Sequence, residues 1–365
     1  MRTEYIHQQK AEYGRTAIAV LPIHYPKALL TAMDVLAVEL WGPPGPPRGP
    51  AAGRLQSYVC AIARNALAFA AMGGLDGVDA VLYPHTCDAL QGLATLLPDF
   101  GGTEKPALRY IHPKGGVRES SRKYVAAELR ELADKLAKLT DTPLDLDRLR
   151  WAIGLHRNID RLRATLLDSR ARLASDDLTL YRTLRRGEYL WPEDHVQELE
   201  DLASELTPEP VRKDIPVMLT GIVPEPMSLL SRLNEAGAYV AADDYAAVGR
   251  RVVREQVSER ADPFETLCDL AFAAPPCSTR AEAQQQRIEY LSSLYVRSGA
   301  AGLIIHTVSF CEPELFFIPA IRARFGSRGV PLLQLETELE QEPSAQAVTR
   351  IEAFVEMVDS ARRQQ

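Results

Sequence analysis

Five cysteines are the residues of this chain with the most distinctive chemistry, since a thiolate binds soft metals and acts as a nucleophile. They stand at positions 60, 87, 268, 277 and 311, an odd number spread over 365 residues. The sequence has no C-x-x-C pair, no H-E-x-x-H and neither of the glycine-rich phosphate-binding patterns G-x-G-x-x-G and G-x-x-x-x-G-K-[ST]. An odd number of scattered cysteines argues against a disulfide framework, so we predict free thiols.

Three of the cysteines fall at the same kind of place in the sequence pattern. Cys87 directly follows a predicted strand and precedes a predicted helix, Cys311 does the same, and Cys60 stands near the start of a predicted helix. Open α/β sheets build their sites at the carboxyl ends of parallel strands. We therefore expect the three thiols to converge, with helix N-termini favouring the thiolate. Simple packing is the alternative, because the spacings match no local metal-binding rule.

The other two cysteines have different surroundings. Cys268 lies within an apolar helical stretch, where a buried thiol behaves as a small hydrophobic side chain. Cys277 follows two prolines in a loop, so we expect it either to pack or to touch a site.

Two titratable residues have types and positions suited to proton transfer. Glu39 stands at the end of a predicted strand, and His85 comes two residues before Cys87. We expect them to act as acid or base in the cleft. The alternatives are a salt bridge at a strand end for Glu39, and a capping contact or a hydrogen bond to a nearby sulfur for His85. His306 lies inside an apolar strand, where a hydrogen-bonded core histidine is expected.

The elements that must position these residues follow a strand-helix alternation in the first third of the chain. We predict strands at 16–21, 35–41, 79–82 and 107–111, alternating with helices at 26–33, 57–72 and 88–97. The segment GPPGPPRGPAAG at 42–53 is predicted to be an exposed loop, because proline lacks the amide hydrogen and fixes φ. Such alternation is typical of a parallel sheet covered on both faces.

The pattern changes in the middle of the chain and then returns. Residues 119–206 have long amphipathic stretches of mixed charge, with helices predicted at 123–139 and 145–173. Strands are then predicted at 215–221, 238–242, 301–308 and 330–335, with helices at 226–236, 263–272, 280–298, 312–325 and 344–363. The fold class predicted is α/β, with two doubly wound parallel-sheet domains facing each other across a cleft and an intervening helical subdomain. The predicted boundaries are 1–118, 119–212 and 213–365.

Composition restricts the class of protein. The chain has 46% hydrophobic and 25% charged residues, typical of a globular protein, and a net charge of −7 with a pI of about 5.6. An acidic balance argues against nucleic acid as a partner. We find neither an apolar stretch of membrane-spanning length nor a signal-peptide core, so we expect a cytoplasmic protein with no membrane partner.

Several short runs together resemble a known family. They are LQSYVC at 55–60, PHTCD at 84–88, SFCEPE at 309–314, ETE at 336–338 and TRIEAF at 349–354. The likeness continues at 26–41, at LTG 219–221, at ADD 242–244 and at GR 249–250, and so covers nearly the whole chain in order. The chain resembles the iron–sulfur subunits of 2-hydroxyacyl-CoA dehydratases and benzoyl-CoA reductases, in particular the D-component of 2-hydroxyglutaryl-CoA dehydratase.

The resemblance implies a cofactor and a reaction. Family subunits hold a [4Fe–4S] cluster on three cysteines, which correspond to Cys60, Cys87 and Cys311, and this leaves one iron open to ligands. The implied activity is elimination of water from a 2-hydroxyacyl-CoA through a ketyl radical. The low-potential electron would come from a separate ATP-dependent activator. A homologous second subunit, in a heterodimer or a homodimer, is also implied.

Other functions stay open at this point. One is a subunit of benzoyl-CoA reductase, which keeps the electrons in a partly reduced ring. Another is a non-catalytic partner that relays electrons or stabilises an assembly. A structural zinc ion on the same three cysteines is a minor alternative. A double-cubane reductase is disfavoured, because it would need more cluster ligands than these cysteines provide. Lys27 departs from the family pattern, since many members carry an acidic residue there.

Overall fold

Two parallel sheets with the same strand order form the centre of the molecule. The computed structural model describes residues 2–51, 53–339 and 342–363. The first sheet has the order β2-β1-β3-β4 and the second has the order β6-β5-β7-β8. The strands of the first sheet are β1 (Thr16–Val20), β2 (Val35–Glu39), β3 (Ala80–Pro84) and β4 (Ala107–Tyr110). Those of the second sheet are β5 (Ile215–Gly221), β6 (Ala238–Tyr245), β7 (Gly302–Val308) and β8 (Leu332–Thr337).

The central strands are mostly apolar, as expected for strands covered on both faces. Every residue of β3 and of β7 is buried. In each sheet the order reverses beside the first strand, and the crevice at such a reversal is where open α/β sheets bind ligands.

Helices cover both faces of each sheet. The described residues form α1 (Arg2–Tyr13), α2 (Lys27–Ala32), α3 (Ala61–Ala71), α4 (Asp88–Phe100), α5 (Glu119–Thr140), α6 (Leu146–Asp168), α7 (Asp177–Arg186), α8 (Pro192–Ala203), α9 (Ser228–Glu235), α10 (Pro263–Ala273), α11 (Gln284–Ser298), α12 (Glu312–Leu315), α13 (Ile318–Gly326) and α14 (Ala345–Arg363). The predicted α/β class with two parallel sheets is confirmed.

Some element boundaries differ from the prediction. The helix predicted at 57–72 begins only at Ala61, which places Cys60 at its N-cap. The helix predicted at 312–325 is two helices, α12 and α13. Pro319 explains the interruption, because proline is tolerated in the first turn of a new helix but not in the interior of a continuous one. The N-terminal helix α1 was not predicted, since its sequence is mostly polar.

One apolar core joins the two sheets. It includes Ala17 and Leu36 of the first sheet together with Leu219 and Val240 of the second. A second core lies on the opposite face of the first sheet, where α2, α5, α6 and α10 pack, and a third core lies between the second sheet, α11 and α13. Helices α5 and α6 thus cover a face of the first sheet. The domain boundaries at 118/119 and 212/213 stay a prediction.

Across the described part of the chain, we find no helix that combines the length and the apolar character needed to cross a membrane.

Candidate thiol site and adjoining cavity

Three cysteines stand immediately before helices, as the sequence pattern predicted. Cys60 is the N-cap residue of α3, Cys87 that of α4, and Cys311 that of α12. Cys87 follows β3 and Cys311 follows β7, so both lie beyond the carboxyl ends of central strands. All three are free thiols, with Cys60 and Cys311 buried and Cys87 partly buried.

The three thiols lie within electrostatic reach of one another. Burial, together with the charge of a Cys60 thiolate, raises the pKa of Cys87 to about 12. Burial also raises the pKa of Cys311 well above its usual range, with additional contributions from Cys60, Glu314 and Cys87. Each thiolate is therefore costly beside the others unless a cation compensates the charge.

This donor set fits an iron–sulfur cluster. Free cysteine thiols are the ligands that iron–sulfur clusters take, and bound iron would stabilise the thiolate forms of Cys60, Cys87 and Cys311. Within residues 2–51, 53–339 and 342–363, no three His, Cys, Asp or Glu side chains are grouped as ligands for one metal ion.

A buried ionic network supports the Cys311 helix. Glu314, in the same short helix, accepts a hydrogen bond from Arg250 at 2.9 Å and lies 3.4 Å from Arg287. Burial alone would raise the pKa of Glu314, but these two guanidiniums lower it to about 2. Arg250 also pairs with Asp244 at 2.9 Å. The sequence analysis did not assign Glu314 or Arg250 to the site, because their partners are distant in sequence.

His85 has an open ring nitrogen near the thiols. Its Nε2 is buried and has no hydrogen-bond partner among the described residues. The nearest carboxylate oxygen is Oδ1 of Asp88, at 3.7 Å, which is too long for a hydrogen bond. His85 therefore has a nitrogen free to exchange a proton or a hydrogen bond with a bound group.

Glu39 is held by donors on every side. Arg251 donates to both carboxylate oxygens, at 2.6 and 2.8 Å. The Tyr25 hydroxyl and the Trp41 indole also donate, at 2.8 and 2.9 Å, and Lys27 lies 3.3 Å away. Although burial acts to raise the pKa of Glu39, Arg251 and Lys27 hold it well below the ordinary value. A carboxylate so strongly stabilised is a weak base, and its geometry matches the salt-bridge alternative.

A cavity of about 230 Å³ lies beside this ionic group. It is bounded by the loop before α2, by α6 and α10, and by the segment from Cys277 to Arg280. Its lining includes Lys27, His112, Asp160 and Arg163, none of which the sequence analysis assigned to a site. These residues come from distant segments, and no local pattern links them.

A polar layer separates the cavity from the thiols. Lys114 donates hydrogen bonds to the carbonyls of Thr86, next to Cys87, and of Thr279. The Thr86 hydroxyl in turn donates to the carbonyl of Ile23, which lines the cavity. The cavity and the thiol site are thus adjacent.

The remaining two cysteines differ as the sequence suggested. Cys268 lies in the core formed with α5 and α6. Cys277 is buried and lines the cavity, with its Sγ 3.0 Å from the Thr279 hydroxyl and 3.5 Å from Arg250. His24 lies on the other side of Thr279, with its Nε2 2.7 Å from that hydroxyl.

Together the fold and the cysteines define an α/β protein with two parallel sheets and three free thiols at the N-caps of helices. The chain belongs to the family described as 2-hydroxyglutaryl-CoA dehydratase, D-component, which matches residues 22–358. The resemblance noted from the sequence is thereby confirmed.

Three relatives are similar to the chain over almost its whole length. The beta subunit of lactoyl-CoA dehydratase from Anaerotignum propionicum is 23% identical, over 96% of this chain and 93% of the relative. A benzoyl-CoA reductase subunit from Thauera aromatica is 28% identical, over 90% of this chain and 87% of the relative. The beta subunit of (R)-2-hydroxyglutaryl-CoA dehydratase from Acidaminococcus fermentans is 23% identical, over 94% of this chain and 92% of the relative.

Proposed function

We propose that this chain is the iron–sulfur subunit of a 2-hydroxyacyl-CoA dehydratase-type enzyme and that Cys60, Cys87 and Cys311 hold a [4Fe–4S] cluster. The observation that carries the proposal is the placement of three free thiols before three helices, each within electrostatic reach of the others. Membership of the 2-hydroxyglutaryl-CoA dehydratase family supports it.

Three protein ligands suit a cluster that takes part in chemistry. When bound, such a cluster supplies one-electron transfer and one iron position open to a substrate oxygen. The chain's own contribution is to keep the thiols out of water and in place. Burial of Cys60 and Cys311 limits solvent access, and the pairs of Glu314 with Arg250 and Arg287 fix the helix that carries Cys311.

His85 is the residue best placed to move a proton. Its unpaired Nε2 could hold or release a proton two residues from Cys87. Glu39 remains part of the proposal as a second candidate. Because Arg251 and Lys27 stabilise its charged form, its more direct effect is to orient those two cations.

The proposal includes partners that the relatives' names suggest. Those relatives are subunits of two dehydratases and of a reductase. We infer a homologous second subunit and a separate ATP-dependent activator as electron donor, with water lost from the 2-hydroxyacyl-CoA by a radical route. A cytoplasmic location belongs to the same proposal, because reducing conditions keep thiols free.

A subunit of benzoyl-CoA reductase is the second candidate. The observation in its favour is the 28% identity to the Thauera aromatica reductase subunit, against 23% to the two dehydratase subunits. Both candidates use the same cluster ligands. A subunit that only relays electrons is the third candidate function. In that case the EPR signal of the cluster should not change when acyl-CoA is added.

Iron and sulfide analysis after anaerobic purification tests the ligand set. We expect about four irons per chain, the number that a [4Fe–4S] cluster requires, and an EPR signal after reduction that acyl-CoA perturbs. Zinc, or no metal, would refute the proposal. An unperturbed signal would favour the relay function.

Single substitutions identify the ligands. Replacement of Cys60, Cys87 or Cys311 by Ser is expected to abolish stable cluster binding, since each removes one of three thiolates. Cys268→Ser is the matched control and is expected to retain full iron content, because Cys268 lies in an apolar core. Full iron content in Cys311→Ser would show that the ligand assignment is wrong.

A further inference from the structure

The cavity beside Glu39 is large enough for an organic ligand. A single water needs ~10–15 Å³ of such volume, so about 230 Å³ exceeds the needs of a water or a simple ion. The cavity also has an apolar wall, formed by Leu129, Ile153, Leu267 and Leu270. It can therefore accommodate an apolar body.

Three buried polar groups in the cavity lining lack partners. They are Nε2 of His112, Nε of Arg163 and Nε of Arg280, which have no hydrogen-bond partner among the described residues. The three residues are at least nine-tenths buried, with 6%, 7% and 3% of their surface exposed. A buried polar group without a partner is costly, so these three mark the cavity as a polar site, and the two guanidinium Nε–H groups are donors that an anion can use.

His112 presents a hydrogen-bond acceptor to this cavity. Its Nδ1 lies 2.9 Å from the Pro113 carbonyl oxygen, which can only accept, so Nδ1 carries the hydrogen. Burial, together with neighbouring His24 and Arg280, lowers the pKa of His112 to about 3. The ring is neutral at pH 7, and its Nε2 offers a lone pair to a donor on the ligand.

The charges around the cavity leave an excess of positive charge. Lys27 and Arg251 share a single carboxylate, that of Glu39. Arg163 donates to the Leu184 carbonyl at 3.1 Å and has no ion pair within 4.0 Å among the described residues. Asp160 is the one carboxylate in the described lining; burial raises its pKa to about 6, so it is still mostly ionised at pH 7, and Lys27, Arg251 and Arg163 stand as three cations against two carboxylates, Glu39 and Asp160. Lys27 and Arg163 are therefore the cations available to an anion.

Three other lining cations are already compensated. Arg250 pairs with Asp244 and Glu314, Arg280 pairs with Glu282 at 3.0 Å, and Arg157 pairs with Glu259 at 3.4 Å. The positive charge that remains is therefore that of Lys27 and Arg163.

We propose that this cavity is a second binding site, for a small organic carboxylate with an apolar body. The carboxylate pairs with Lys27 and Arg163, and the apolar body packs against Leu129, Ile153, Leu267 and Leu270. The inference does not depend on the cluster, because none of the three proposed cluster ligands lines the cavity.

Calorimetric titration of the full chain with benzoate tests this site. Benzamide is the matched neutral ligand, since it has the same shape without the charge. We expect benzoate to bind at least about tenfold more tightly than benzamide, the effect of pairing a buried charge. Equal affinities, or no measurable binding of benzoate, would overturn the proposal. Iron content measured on the same sample keeps this result separate from the outcome for the cluster.

Variants locate the binding site. Lys27→Met is expected to weaken benzoate binding at least about tenfold, because it removes one of the two available cations. Lys27→Arg keeps the charge and is expected to retain most of the affinity. Lys123→Met, which removes an exposed lysine of α5, is the control and should leave affinity unchanged. Thermal unfolding of each variant establishes that it is folded, and unchanged affinity in folded Lys27→Met would contradict the assignment.

Competition distinguishes a free acid from a CoA thioester. Benzoyl-CoA has an uncharged acyl carbonyl where benzoate has a carboxylate, so we expect it not to displace benzoate. Displacement at comparable concentrations would overturn the requirement for a carboxylate.

Discussion

Single residues of the same type behave differently here because of what surrounds them. Cys268 and Cys277 are both buried, but the balance between burial and nearby guanidinium groups differs for their two sulfur atoms. Burial acts to raise the pKa of Cys277, but Arg250 and Arg280 outweigh it and hold the pKa below the ordinary value of 9. For Cys268, burial and Asp269 raise the pKa to about 11. The two thiols should therefore differ in reactivity.

Alkylation by iodoacetamide at pH 8 measures this difference. The thiolate is the reactive form, so we expect Cys277, whose pKa is lowered, to be modified faster than Cys268, whose pKa is raised. Peptide mass spectrometry gives the two rates. In guanidinium chloride both environments are lost, and the two rates should become equal. Equal rates in the folded protein would contradict the pKa order.

The sequence predicted some residues well and missed others for a physical reason. Cys87 and Cys311 were predictable because each sits at a local strand-helix junction, whereas Cys60 was expected near the start of a helix and lies at its N-cap. His306 was also predictable: it lies in β7 and bonds both Tyr245 and Thr337, as expected of a core histidine. The cavity was not predictable, since it brings together residues from six or more separate segments.

At the scale of elements, the close pairing of β5 with β7 requires a glycine at the end of β5. Gly221 ends β5, and a Cβ built there would lie 1.9 Å from the carbonyl oxygen of His306 in β7. That obstacle is backbone, which cannot rotate away. Gly154, within α6, has no atom within 4 Å of such a Cβ. These two glycines thus have opposite expected responses to the same substitution.

Gly221→Ala is expected to lower the free energy of unfolding by about 3 kcal/mol or more, the upper end of overpacking costs. Gly154→Ala is the matched control and should raise it by about 1 kcal/mol, because alanine is the better helix former. Urea denaturation followed by circular dichroism measures both. A Gly221→Ala protein as stable as the unsubstituted chain would contradict the close approach of β5 and β7.

The strand and helix pattern predicted the two sheets, and it predicted the ends of strands better than the starts of helices. Most strands end within two or three residues of their predicted positions, because apolar runs mark them directly. Helix starts were less accurate, as at 57–60, where the chain is a loop that leads to Cys60. There the apolar pattern continues across the N-cap, and only the backbone conformation marks the boundary.

At the scale of the whole molecule, ion pairs connect the part of the chain that forms the first sheet with the part that forms the second. Glu39 ends β2, and its partner Arg251 lies in the 249–251 turn after β6; both side chains are buried. Arg64 of α3 pairs with Glu338 beyond β8 at 2.5 Å, but 40% of the Glu338 side chain is exposed. The Glu39–Arg251 pair is therefore buried and the Arg64–Glu338 pair is partly exposed, although both join distant parts of the chain.

Glu39→Gln is expected to lower the free energy of unfolding by about 3–5 kcal/mol at pH 7, because it leaves Arg251 and Lys27 buried without their anion. Glu338→Gln should cost only about 0–1 kcal/mol, as for exposed pairs. Because the folded chain holds the pKa of Glu39 below its ordinary value of 4.5, the stabilisation is present above about pH 4.5 and is lost as the pH falls below it. Urea denaturation at pH 7 and at pH 4 should accordingly show a smaller difference between the unsubstituted chain and Glu39→Gln at the lower pH. If the difference is the same at both values, or if Glu39→Gln costs no more than Glu338→Gln, the buried pair does not stabilise the connection between the two sheets.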